Sequence, residues 1–139
     1  MIDPTITLQT AVRKTLIESP EVLALVEADS IRTGPTRPDN FPSVILANPQ
    51  TMNLGRAAGG QYCTRVFLDL HIWAMDAGAN LAQNIGAVLT HVLWDAPTPD
   101  GAIFADYTRP SFRYIRDPDP DKSYAHGVGT VEAAILWRP

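Results

Sequence analysis

Apolar residues at helical spacing open the chain. Leu8, Ala11, Val12 and Leu16 fall on one face, and Asp3 before Pro4 supplies an N-cap with proline in the first turn, which predicts a helix to about Glu18. "SPEVLALVEA" repeats the signal in miniature: Ser19 caps, Pro20 opens the turn, and Val22, Leu25 and Val26 share a side, giving a short second helix. "DSIRTGPTRPDNFP" then holds three prolines and a glycine, so it reads as loop with room for a short strand at Ser30 to Thr33.

"FPSVILANP" changes the pattern. Its unbroken run of Val44, Ile45 and Leu46 is short, led by two β-branched residues and bracketed by prolines, which predicts a buried strand over Ser43 to Ala47. "QTMNLGRAAGGQ" follows with three glycines and one arginine, Arg56, and is expected to be a long, mobile hairpin loop. The cleanest alternation is "YCTRVFLDLHIWAM". Thr64, Val66, Leu68, Leu70 and Ile72 lie on one side, and Arg65, Phe67, Asp69, His71 and Trp73 on the other. The first face belongs to a core; the mixed second face is expected to be surface that meets a partner.

Asp76 is positioned to cap the main helix, whose stripe runs through Leu81, Ile85, Val88, Leu89, Val92 and Leu93 to Trp94. After the turn "DAPTPDGA", Ile103 to Tyr107 and Ser111 to Arg116 read as one strand interrupted at Pro110. The last strand is "GTVEAAILWR", with Val131, Ala133, Ile135 and Trp137 on the same side. Helix, short helix, strand, strand, helix, strand, strand in this order predicts an α+β fold: a mostly antiparallel sheet with the helices packed on one face.

Composition narrows the function classes. A chain of 139 residues with 45% hydrophobic and 19% charged residues suits one globular domain spanning 1–139, and no window approaches the run of about 18 apolar residues that a membrane span needs. "MIDPTITLQTAVRK" has neither a basic start nor a following apolar run, so synthesis in the cytoplasm is expected. The net charge of -4 contains no basic run that would track phosphates, which disfavours direct nucleic-acid binding. A lone cysteine, Cys63, excludes an internal disulfide and a multi-cysteine zinc site and reads as a buried thiol.

"RDPDPDKSYAHGVGT" looks at first like a cation loop. Counted from Asp117, Asp119 and Asp121 take the third and fifth ligand positions of a calcium loop, but Lys122 stands where the sharp turn needs glycine and Val128 where a bidentate glutamate is needed. Two prolines stiffen it further, so a solvated turn is expected. His71, His91 and His126 share no helical or strand spacing and read as surface or interface histidines rather than zinc ligands. No Gly-x-Ser-x-Gly elbow is present, and "GRAAGG" lacks the lysine and hydroxyl residue of a phosphate loop. Asp69 and Glu132 could pair as carboxylates on neighbouring strands, but Arg65 or Arg113 is expected to neutralise them. Neither enzyme activity nor a cofactor is expected.

The order of these motifs resembles the tail completion or tail terminator proteins of long-tailed bacteriophages and gene transfer agents. "FPSVILANP", a strand ending "LDLHIWAMD", the helix "NLAQNIGAVLTHVLWDAP" and "FRYIRDPDPDKSYAHGVGTVEAAI" carry the likeness, which extends from Leu8 to Leu136. The resemblance implies a structural virion protein. It would form a ring, a homohexamer, at the head-proximal end of the tail tube, where it ends tube polymerisation and joins the tail to the head-side connector. Its partners would be itself, the tail tube protein and the connector, with DNA only in transit and no membrane. A head-tail connector or stopper is the alternative within virion proteins, and a small-ligand binding module lies outside them. Candidate interface or channel residues are Arg56, Arg65, Asp69, His71, Trp73, Asp117, Asp119, Asp121, Lys122 and His126.

Overall fold

The computed structural model describes residues 2–35, 37–75, 80–116 and 124–139. Helix α1 spans Pro4–Ile17 and is capped by Asp3, whose carboxylate accepts from the backbone amides of Thr5 at 2.7 Å and Ile6 at 3.4 Å. Helix α2, Pro20–Leu23, is capped by Ser19. A 3-10 turn at Ala28–Ser30 leads into β1, Ile31–Thr33. Then come β2, Ser43–Ala57; β3, Gln61–Met75; α3, Leu81–Val92; β4, Ile103–Thr108; β5, Phe112–Arg116; and β6, Tyr124–Trp137. The order along the sheet is β1-β2-β3-β6-β4, with β5 also paired to β6.

One core lies between the helices and one sheet face. Leu8, Val12 and Leu16 of α1 and Ile85 and Leu89 of α3 meet Val66, Leu68, Leu70 and Ile72 of β3, with Val131, Ala133 and Ile135 of β6 alongside. Fully burying each Leu or Ile stabilises by about 1.5–3 kcal/mol relative to exposure, so this layer holds the helices to the sheet. The expected α+β class and its helices on one face are observed. Every pairing is antiparallel except β1 with β2, which is parallel. A parallel neighbour requires the chain to travel back before it pairs.

Three expectations change. The stretch from Thr51 to Gln61 is not a mobile loop: β2 continues to Ala57 and β3 begins at Gln61, so the segment is most of a hairpin arm. Gly59 and Gly60, at φ of 75° and 74°, make its turn, where a side chain would be strained. The interrupted strand is two strands that share one partner, because β4 pairs with Glu132–Leu136 and β5 with Ala125–Gly129 of β6. Pro110, buried between them, cannot donate to a ladder, which separates the two. Finally, Asn80 rather than Asp76 precedes α3, without a side-chain capping bond; Asp76 lies outside the described residues.

Candidate interaction surfaces

Strand alternation sends every second residue of β3 away from the helices. On that outer face Arg65 reaches across both neighbouring strands: its Nη1 lies 3.3 Å from Glu132 on β6 and its Nη2 3.4 Å from Asp106 on β4. Arg65 therefore neutralises Glu132, as the charge pattern suggested. Asp69 is held differently, accepting from the Thr130 hydroxyl at 2.8 Å and the Asn48 amide at 3.5 Å.

His71 and Trp73 depart from the expected exposed surface. Both are buried, at 8% and 6% exposure. The cause is the parallel β1–β2 connection, whose returning loop crosses the outer face. Phe41 packs beside Ile45, Ala47 and Trp73 and stacks on Tyr124 at 4.4 Å, while the Arg37 guanidinium sits 5.4 Å from the Trp73 ring. Beneath this cover, the His126 ring stacks on Trp73 at 3.9 Å, and its Nε2 lies 2.8 Å from His71 Nδ1. Two imidazole nitrogens at hydrogen-bond distance share one proton, so one ring donates and the other accepts. His71 Nε2 and Trp73 Nε1 are buried with no hydrogen-bond partner among the described residues. Burial pushes the His71 pKa down, and the neighbouring Asp69 charge opposes that shift. Fifty-five residues separate the two histidines, which is why no local spacing linked them.

Arg56 lies at the far end of the hairpin arm, its guanidinium 5.5 Å from the Tyr62 ring. Trp137 Nε1 donates to the Thr64 hydroxyl at 2.9 Å, and Thr64 donates to the Asn53 side-chain oxygen at 3.0 Å, tying the root of the arm to β6. Arg138 donates to the Gly59 carbonyl at its tip. Met52 and Leu54 remain about half exposed. Cys63 is half-buried rather than enclosed.

A further surface departs from the apolar stripe expected to pack on the sheet. Trp94, expected to end the stripe, lies two residues beyond α3 and is 51% exposed, and Arg109 lies over it at 4.2 Å while donating to its carbonyl at 2.9 Å. Together with Phe112 and Tyr114 they line a groove of about 630 Å³ between α3 and the β4–β5 corner. Asp117, Asp119, Asp121 and Lys122 fall outside the described residues. Among the described residues no three His, Cys, Asp or Glu side chains gather as metal ligands.

Taken together, the sheet, its covered outer face and its exposed β2–β3 arm define a small α+β protein. Residues 10–136 match the family described as "Tail completion protein gp17", and the chain belongs to this family of structural phage tail proteins. No curated protein matches the sequence. Among solved structures, a chain from the virion of a native gene transfer agent particle is similar, at 16% identity and a TM-score of 0.71, over 94% of this chain and 95% of that one. The gp17 protein of bacteriophage SPP1 is also similar, at 18% identity and a TM-score of 0.57, over 94% of this chain and 90% of that one. At these identities the two likenesses establish the fold.

Proposed function

We propose that this protein, acting as a single domain, assembles into a ring, a homohexamer, at the head-proximal end of a phage or gene-transfer-agent tail tube. The observation that carries the reading is the family match across residues 10–136. The virion context of a similar chain supports the same assignment. The ring ends tube growth sterically: one face complements the last ring of tail tube protein, and the other offers the next tube subunit no matching surface. That other face receives the head-side connector, and DNA passes through the central channel.

Closed rings use heterologous contacts, so each subunit contributes two different patches. The arm carrying Arg56 is one candidate. The acidic turn with Asp117, Asp119, Asp121 and Lys122 is the second, or a channel wall whose negative charge keeps DNA from adhering. Arg65 and Asp69 lie on the outer face, and His71, Trp73 and His126 support that face from beneath the Arg37–Phe41 cover. Synthesis in the host cytoplasm precedes incorporation into the virion.

Imaging particles made without the protein tests the reading. Overlong or unattached tails are expected; full heads that leak DNA would instead assign a stopper role. Replacing the three aspartates with lysine should impair DNA passage while leaving the subunit folded, and unchanged infectivity or transfer would remove the channel-wall assignment.

A further inference from the structure

Among the described residues both ends of the sheet expose an unpaired strand edge, and they do so at the same height. At one end β1 covers β2 only over Val44 to Leu46, so among the described residues nothing pairs with the outer edge of β2 from Gln50 to Ala57. At the other end the outer edge of β4 is likewise unpaired among the described residues. The registers align these segments. Gln50 pairs with Phe67, which pairs with Glu132, which pairs with Thr108. Met52 connects in the same way through Arg65 and Ala134 to Asp106. The strands β2, β3, β6 and β4 alternate strictly in direction, and four is an even number. A second copy in the same orientation therefore brings its β4 antiparallel to the first copy's β2.

The edges are only partly protected: one irregularity interrupts each of these segments, between Asn53 and Gly55 on β2 and between Phe104 and Asp106 on β4, and β2 carries the exposed Arg56. Gln50 to Ala57 and Ile103 to Thr108 contain no proline and no lysine, and Asp106 is already paired with Arg65. Met52, Leu54 and Ile103 are each about half exposed along these edges. An edge of this kind is a template for one more strand.

We propose that the free edge of β2 pairs, antiparallel, with the free edge of β4 in a second copy of this chain. This rests on the ring reading above, keeps the arm as one patch, and makes the β4 edge the second in place of the acidic turn. Two different edges at opposite ends of one sheet form a heterologous joint that repeats from copy to copy, and backbone hydrogen bonds carry it.

Cysteine pairing tests the joint. In a Cys63→Ser background, Gln50→Cys is combined with Thr108→Cys, and Met52→Cys with Asp106→Cys. Within one molecule each pair is three strand spacings apart, about 14 Å, too far for a disulfide, which needs α-carbons within about 7 Å. Any bond formed is therefore between copies. Oxidation of the purified protein, alone and with tail tube protein, should give a covalent ladder for these pairs or for same-face pairs shifted by two residues. Gln50→Cys with Leu23→Cys on α2 should give none. The N–H groups of Thr51 and Met52 point to opposite edges of β2, so of Thr51→Pro and Met52→Pro the one facing the free edge should weaken association about tenfold by removing a donor to the second copy, with circular dichroism confirming the fold. Rings that form but never cross-link through any β2–β4 pair would overturn the edge contact and leave the ring standing. Protein that stays monomeric both alone and with tube overturns both.

Discussion

Gly129 sits on β6 between β3 and β5. It pairs with Leu70 on one side and Phe112 on the other, and a β-carbon added there would lie 2.7 Å from two carbons of the Phe112 ring and 2.9 Å from the Ser111 carbonyl oxygen. Carbon pairs prefer about 3.5–4.0 Å, so a methyl group would sit about an ångström too close to the ring. The carbonyl is backbone beside buried Pro110 and can retreat only if the β4–β5 corner moves. Overpacking of this sort costs about 1–3 kcal/mol, and the reduced freedom of the unfolded chain returns about 0.4–1. Gly129→Ala should therefore destabilise by about 1–2 kcal/mol, lowering the thermal midpoint by roughly 2–8 °C per kcal/mol. Gly86 on α3 makes the informative comparison. Its added carbon would come within 1.9 Å of the Tyr114 hydroxyl, a closer clash, but that hydroxyl is the far end of a side chain 39% exposed. The ring can swing outward, and alanine gains about 1 kcal/mol of helix propensity over glycine. Gly86→Ala should thus be nearly neutral, within about 1 kcal/mol of the parent. Urea and thermal unfolding at fixed protein concentration decide the matter. If Gly86→Ala proves the more damaging change, or Gly129→Ala leaves the midpoint where it was, the reasoning about which neighbour can move is wrong.

Three further outcomes are expected. Because burial holds His71 below its ordinary value of 6.5, the unfolded chain binds a proton that the folded chain resists; stability should be full above that value and fall as pH drops below it, and His71→Gln should flatten urea midpoints measured from about pH 8 to about pH 5. Asp3→Ala should cost about 1 kcal/mol by uncapping α1. Its parent contribution should fade as acid protonates the carboxylate, whose pKa is lowered first by the Thr5 hydroxyl hydrogen bond, and unfolding midpoints measured down an acid series would detect this. A double-mutant cycle on Arg65→Met and Glu132→Gln should return a coupling below about 1 kcal/mol that shrinks with added salt, since both side chains remain partly exposed.

How much of this protein the sequence determined follows from which interactions are local. Caps at Asp3 and Ser19, the stripe on α3 and the period-two core face of β3 are nearest-neighbour patterns, and each appears where the spacing predicts it. The motif order along the chain was enough to indicate the family. Glycine-rich text between Thr51 and Gln61 misled, because only the hydrogen bonds to β3 hold that segment extended and exposed. Tertiary structure alone decided the outer face. A parallel β1–β2 pairing sends Arg37 to Phe41 back across the sheet, and this long-range path buries His71 and Trp73 and brings His126 against them. Alternation along one strand tells which residues share a side; what covers that side depends on where distant chain returns.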